Sequence, residues 1–200
     1  MKNKIISTSL FILFMVLACC EEPIPTETTE PTENIIHWKE EVHIESTDEV
    51  TVAEPNEVTL YDVPLSEELQ LHIIAECEKH NIAPAIVIAM IERESNYKAD
   101  AIGDNGNSLG LMQIQPKWNQ ERMERLGCTD LLDPFQNVTV GIDLVAELIE
   151  KDADTYWVLM AYNGGQAYAT RNIENGTYSD YAITVVERAS ELEKVVSYGY

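Results

Sequence analysis

Glu94, with Ser95, closes the apolar run Pro84-Ala85-Ile86-Val87-Ile88-Ala89-Met90-Ile91. A carboxylate at the end of the most hydrophobic stretch outside the N-terminal leader is costly to bury unless it is paired or held protonated. A glutamate held protonated is a general acid: it can give a proton to a leaving oxygen and take one back in a later step. Glu92 competes for the role. Its helical neighbours would be Ala85, Ile88 and Ala89, whereas Glu94 would share a face with Val87, Met90 and Ile91. Periodicity does not choose between the two, and either acid can instead be solvated or paired with Arg93 or Lys98. Glu94 is favoured by its place beside Ser95 at the helix end, leading into a glycine-containing loop.

Other chemistries find little support. His37, His43, His72 and His80 are dispersed, so no metal site is expected. There is no phosphate-cradling glycine loop and no Ser-His-Asp arrangement, so no cofactor is expected either. The formal charge of -22 divides into +2 for residues 1–20, -11 for 21–60 and -13 for 61–200. The last segment has ten bases against twenty-three acids and no basic stripe for a phosphate backbone, so nucleic acid is not an expected partner.

The elements that must position Glu94 read as helix after helix. Ser66 caps a first helix with Glu67 and Glu68 in its first turn, Leu69, Ile73 and Cys77 on one face, and Lys79 and His80 at its end. The second starts at Pro84 and runs to about Tyr97; it is apolar nearly all round, which predicts a helix at the centre of the domain. A long polar loop, Ala99 to Ser108, follows. A short helix over Asn119–Leu126 stops at Gly127, and Asp133-Pro134-Phe135-Gln136 reads as a capping box opening a helix to about Lys151. Further helices are expected near 154–162, 165–173 and 179–195, the last preceded by an Asn175-Gly176 turn. No strand run stands out in this part of the chain. The expected class is mainly α, and about 140 residues are enough for one core.

Residues 1–19 have a secretory layout: Lys2 and Lys4, an apolar stretch from Ile5 to Ala18, then Cys19-Cys20. The stretch is shorter than the roughly 20 apolar residues of a spanning helix. Met15-Val16-Leu17-Ala18-Cys19 resembles the bacterial lipobox, which implies lipidation of Cys19 as the mature N-terminus and a membrane-anchored protein at the cell envelope; cleavage by an ordinary signal peptidase is the alternative. Residues 20–60 hold twelve acids, one base (Lys39) and four prolines, the pattern of an extended, mostly disordered tether. Within it, Val42-His43-Ile44 and Val50-Thr51-Val52 alternate weakly, as a short edge strand would. Cys77 and Cys128 are the cysteines left for the domain, 61–197; buried free thiols are the plain reading and a disulfide the alternative.

Four motifs occur in one order at compatible spacing: Glu94-Ser95-Asn96-Tyr97, Ala101, the segment Ser108-Leu109-Gly110-Leu111-Met112-Gln113-Ile114-Gln115-Pro116, and Ala161-Tyr162-Asn163-Gly164-Gly165. Together they resemble the catalytic domain of the soluble lytic transglycosylases, relatives of goose-type lysozyme. Asp133-Pro134 with Asn137 and Gly141, and the segment Tyr178 to Val186, extend the resemblance over about residues 61–195.

The resemblance implies a lysozyme-like helical domain whose central buried helix carries the catalytic Glu. It also implies cleavage of the β-1,4 bond between N-acetylmuramic acid and N-acetylglucosamine in peptidoglycan glycan strands. On it, Glu94 is the single acid/base, with its pKa raised by its apolar face towards neutrality. The substrate's own acetamido group replaces a second carboxylate, and the muramic primary hydroxyl closes to a 1,6-anhydro product. Ser95, Ser108 and Gln113 would hold sugar, and Gly110, Leu111 and Met112 would line the cleft with backbone and thioether. Tyr162 would hydrogen-bond near Glu94, Asn163 would shape its turn, and Tyr181 would reach the cleft. Met112 as core filling and Asn163-Gly164-Gly165 as an ordinary helix end are the plain alternatives.

The chain departs from the pattern in the loop Gly103-Asp104-Asn105-Gly106-Asn107-Ser108, which is one residue longer than usual, with Asn107 where a small residue is common. Asp104 is placed to act as an auxiliary carboxylate, which would favour a lysozyme-type hydrolase. A wall-binding or envelope-assembly module that had lost the reaction is the remaining alternative, against which the intact Glu94 argues.

Overall fold

The computed structural model describes residues 58–197, with side chains as far as Lys194. The expected leader, Cys19, the expected tether up to residue 57 and the two weakly alternating segments within it lie outside the described residues. Seven helices are described: α1 (Glu67–Lys79), α2 (Pro84–Ser95), α3 (Pro116–Leu126), α4 (Pro134–Lys151), α5 (Thr155–Gly164), α6 (Gln166–Glu174) and α7 (Asp180–Ser197). A small hairpin, β1 (Ile102–Gly103) and β2 (Ser108–Leu109), sits between α2 and α3.

The helix starts follow from side-chain chemistry. Ser66 Oγ accepts from Leu69 N at 3.3 Å, Asp133 Oδ1 from Gln136 N at 2.9 Å and Asp154 Oδ1 from Trp157 N at 2.7 Å. Each bond satisfies one amide that the first turn leaves without a partner. Pro84, Pro116 and Pro134 occupy first-turn positions where no amide is needed. The Asp133 cap forms as expected, but the amide of Gln136 does not bond back to it. Gln136 Oε1 instead accepts from Thr129 N and Asp130 N, tying the preceding loop to the helix.

The core is built round α2. No residue from Ala85 to Ile91 is more than 1% exposed, so the helix is enclosed on every side, as its all-round hydrophobicity predicts. It packs chiefly on α7 and also on α1, while α4 joins α1, α3 and α5, and α5 lies against α6 and α7. Cys77 and Cys128 are both buried and are not joined in a disulfide.

Three expectations need correction. α2 stops at Ser95 rather than near Tyr97, because Asn96 and Tyr97 turn left-handed at φ 50° and 64°. α3 starts three residues earlier than expected, at Pro116. The segment expected as a loop holds the hairpin, with Ile102 opposite Leu109 and Gly103 opposite Ser108. Strands of two residues are too short to carry an alternating pattern. The turn between them, Asp104–Gly106, is three consecutive residues at positive φ, a backbone that Asp, Asn and Gly tolerate better than other residues.

Candidate active site

The last turn of α2 presents Glu92 and Glu94 to different surroundings. Glu92 Oε2 accepts from Tyr97 Oη at 2.6 Å and from Arg188 Nε of α7 at 2.7 Å. Its burial alone would raise its pKa, but these two bonds and the guanidinium charge outweigh it and hold the carboxyl below its ordinary value. Glu94 is raised: burial is the largest cause and the nearby Asp104 charge adds to it, against lowering by the Tyr181 hydroxyl and Arg93. The two acids that periodicity left tied are thus pushed in opposite directions, the arrangement that separates a proton donor from a structural carboxylate.

Tyr181 and Tyr162 complete the surround of Glu94. Both phenols are raised well above their ordinary value, by burial first and by the Glu94 charge second, so both are neutral donors at any physiological pH. The Tyr181 hydroxyl is buried and forms no geometrically complete hydrogen bond, but it stands close enough to Glu94 to interact with it. Tyr162 Oη donates to Met112 O at 2.7 Å, so it serves as a strut between α5 and the segment after the hairpin and not as a direct ligand of Glu94.

That segment is held from behind by Asn137, a fully buried residue of α4. Asn137 Oδ1 accepts from Met112 N at 2.8 Å, and its Nδ2 donates to Leu109 O and Leu131 O, each at 2.8 Å. Gly110 is required beside it: at φ +74° a Cβ would stand 2.3 Å from both Asn137 Nδ2 and Leu131 O. One helical turn on, Gly141 makes room for Met112, whose Sδ would be 2.3 Å from a Cβ there. The clamp delivers Gln113 to the surface at φ 47°, where its Nε2 donates to Gly110 O at 2.9 Å and Ala101 O at 3.2 Å.

Two clefts meet at this point. The first, about 710 Å³, is lined by residues that include Glu94, Asp104, Ser108, Gln113, Trp118, Arg122, Glu147, Tyr162 and Asn163. The second, about 760 Å³, runs from α2 to α7 and includes Glu92, Arg93, Ser95, Lys98, Thr184 and Arg188. Glu94, Gly103 and Gln113 belong to both. A chain-like ligand passing from one cleft to the other crosses the Glu94 carboxyl.

Of the expected site residues, Glu94, Ser108, Gln113, Tyr162 and Asn163 line the first cleft and Ser95 the second. Ser95 is buried, with its hydroxyl donating to Ile91 O at 3.1 Å, and Ser108 Oγ donates to Asp104 Oδ2 at 2.7 Å, so neither hydroxyl is idle. Leu111 and Met112 are 0% exposed and stand behind the wall, which corrects the expectation that they line it; the thioether is core filling against Gly141. Gly110 acts likewise through backbone fit. Sequence reasoning passed over Trp118, 72% exposed at the cleft rim with Lys117 Nζ 4.6 Å from its ring centroid. It also passed over Arg122, buried and bonded to Asp143, Glu147 and Asn119. A tryptophan set among the polar residues Lys117, Asn119, Gln120 and Glu121 was the available signal for the first.

A model of the transglycosylase SLT domain matches residues 72–183, more than half of the chain. This chain belongs to that family. The SLT domain here is similar to the transglycosylase of Enterobacteria phage PRD1, at 29% identity over 104 residues, 52% of this chain and 37% of the phage protein. It is also similar to lysozyme g of Casuarius casuarius, at 32% identity over 136 residues, 56% of this chain and 65% of that one. The chain therefore spans between about a third and two thirds of the length of these curated relatives. An inactive glutamate-to-glutamine mutant of the lytic transglycosylase Slt from Pseudomonas aeruginosa shares the fold, with a TM-score of 0.50 at 20% identity over 68% of this chain and 23% of that one. The mainly helical, lysozyme-like SLT fold thus accounts for the central placement of α2.

Proposed function

We propose that this SLT domain cleaves the β-1,4 bond between N-acetylmuramic acid and N-acetylglucosamine of peptidoglycan without consuming water. Glu94, protonated at the start, gives its proton to the glycosidic oxygen as the bond to muramic C1 breaks. The muramic acetamido oxygen closes on C1 and holds the positive charge. Glu94, now a carboxylate, takes the proton of the muramic C6 hydroxyl, whose oxygen bonds to C1 and displaces the acetamido oxygen. The products are a 1,6-anhydro-muramic end and a free N-acetylglucosamine 4-hydroxyl, and Glu94 is protonated again.

The observation that carries this reading is the placement of a carboxyl raised by burial on the wall shared by two clefts. Tyr181, neutral and beside Glu94, is a donor that favours the carboxylate left after the first proton transfer, and Gln113 and Asn163 are available to hold sugar hydroxyls. The description of the Slt relative as inactive with a Glu-to-Gln change supports a glutamate as the essential group. The experiment is digestion of purified peptidoglycan followed by mass spectrometry of the released muropeptides. The expected result is anhydro ends from the wild type and none from Glu94→Gln; retained release by the variant removes Glu94 from the reaction.

A second reading has its own support. Asp104 lines the first cleft with Glu94, and its Oδ2 is oriented by Ser108 Oγ at 2.7 Å and Gln115 Nε2 at 3.2 Å. A fixed carboxylate in the same cleft can orient water for attack on C1, which makes the domain a hydrolase and leaves reducing muramic ends in the same spectra.

The organisation that goes with either reaction is a leader over 1–19, a tether over 20–60 and the catalytic domain over 61–197, working outside the cytoplasm. Lipid attachment at Cys19 would hold it at the membrane. Metabolic labelling with a fatty acid, lost in Cys19→Ala, is the test.

A further inference from the structure

The proposed reaction makes no use of Glu92 or Arg188, yet the two meet within one turn of Glu94. Glu92 Oε2 accepts from Tyr97 Oη at 2.6 Å and from Arg188 Nε at 2.7 Å, and Arg188 Nη1 donates to Glu191 Oε2 at 3.1 Å. Tyr97 and its neighbour Asn96 stand at φ 64° and 50°, a backbone that residues other than glycine enter at a cost. The bond from Tyr97 back to Glu92, five residues earlier, closes that turn. The chain then runs to Ala101, whose carbonyl accepts from Gly110 N at 2.8 Å and Gln113 Nε2 at 3.2 Å. One carboxylate thus joins the end of α2, the connection to the hairpin, and α7.

Elsewhere α7 gives Ala182, Val185, Val186 and Ala189 to the core. Apolar burial is non-directional, whereas a hydrogen bond to a carboxylate fixes a distance and an angle. Tyr181 lies seven residues before Arg188 on α7, about 10 Å along the axis and on the same face. Its hydroxyl is buried, makes no complete hydrogen bond and acts on Glu94. Its reach to that carboxyl therefore depends on how α7 is seated.

We propose that Arg188, with Glu92 and Tyr97, is a positioning latch that seats α7 on α2 and so sets the Tyr181 hydroxyl against the Glu94 carboxyl. The latch rests on the reading of Glu94 as the acid/base, and adds to it residues that act only through Tyr181. A donor misplaced by about 1 Å can cost about a hundredfold in rate. Arg188, with its side chain 34% exposed, adds little to stability as an ion pair, so its effect falls on turnover. Glu92 and Arg188 line the second cleft, but Tyr97 lines neither. Tyr97→Phe therefore removes a latch bond without removing a cleft residue.

The test assays the full chain, well below its melting temperature, on a soluble glycan of alternating N-acetylglucosamine and N-acetylmuramic acid. Arg188→Gln should lower kcat about tenfold and Tyr97→Phe about threefold, with KM within about twofold of wild type. Arg188→Lys, which can keep one bond to Glu92, should recover part of the loss. The deciding background is Tyr181→Phe. It lacks the hydroxyl that the latch places, so adding Arg188→Gln to it should change kcat by less than about twofold. Additive losses in that background overturn the latch, as does a wild-type kcat in Arg188→Gln or Tyr97→Phe. A raised KM with unchanged kcat in Arg188→Gln also overturns it, by making Arg188 a substrate contact. Reducing ends in place of anhydro ends defeat the lytic reading alone, because the coupling is read from the rate and not from the product. No release by the wild-type chain defeats both.

Discussion

Replacing Asn137 is the sharpest test of how the site is held in place. Asn137→Ala removes one acceptor and two donor bonds, leaving Met112 N, Leu109 O and Leu131 O without the partners they have at 2.8 Å. The site is closed to water, since Asn137 is 0% exposed. An abandoned buried polar group costs about 1–3 kcal/mol. Discounting the two carbonyls for their weaker need of a partner, the loss is about 3–5 kcal/mol, a large share of the roughly 5–15 kcal/mol that holds a domain folded. Urea titration followed by circular dichroism measures it, as a lower midpoint at unchanged slope. Asn137→Asp separates polarity from volume. One carboxyl oxygen keeps the bond from Met112 N, but the other faces the Leu109 and Leu131 carbonyl oxygens and is tolerable only when protonated. The introduced carboxyl thus has a folded pKa above its unfolded value of about 3.9. Its stabilising contribution is complete below that value and is lost as pH rises through the folded one, so the variant is closest to wild type in acid and weakest near neutrality. A loss under about 1 kcal/mol for Asn137→Ala, or a pH-independent deficit for Asn137→Asp, would refute the clamp.

Three further outcomes follow from the site. Burial raises the Glu94 pKa, so its stabilising contribution is present in acid and lost as pH rises through the folded value. Glu94→Gln should therefore melt higher than wild type at neutral pH, with the gap narrowing in acid, while wild-type turnover declines as the same carboxyl titrates upward in pH. Arg122→Ala should cost about 1–3 kcal/mol and lower Tm by about 5 °C, because Asp143, whose side chain is 13% exposed, loses one of its two guanidinium partners and keeps Arg125 at 2.7 Å, while Asn119 Oδ1 loses its donor. The lining of the first cleft would go with it. Trp118→Ala should leave Tm almost unchanged, the side chain being 72% exposed, but raise KM for glycan by about threefold to tenfold through loss of an aromatic platform. A Tm drop with unchanged KM would make Trp118 a packing residue instead.

What was legible in the chain was what acts locally. Ser66, Asp133 and Pro134 announce their helices because a cap needs only its own next three residues, and α2 announces its central place because every side is apolar. What was hidden depends on partners far along the chain. Glu92 and Glu94 looked alike until Arg188, 96 residues away, was found bonded to the first. Met112 looked like a cleft residue because nothing local reveals that Gly141 leaves a slot for its sulfur. Asn137 was visible as a polar residue next to the apolar Val138, Val140 and Ile142 of α4, and a buried polar side chain at such a position is a sign that backbone from elsewhere is being held.

The seam between α2 and α7 also dictates when the site comes into being. Tyr181 and Arg188 are supplied by the last helix, and closing the 96-residue loop from Glu92 to Arg188 costs on the order of 4 kcal/mol of chain entropy before any contact is gained. A chain emerging N-terminus first can thus form α1, the hairpin and the Asn137 clamp while Glu94 still stands in an open wall. The raised carboxyl and the second cleft arrive together, with the final docking step. Competence to cut is in this way tied to completion of the fold, and a truncated or half-made chain has no assembled blade.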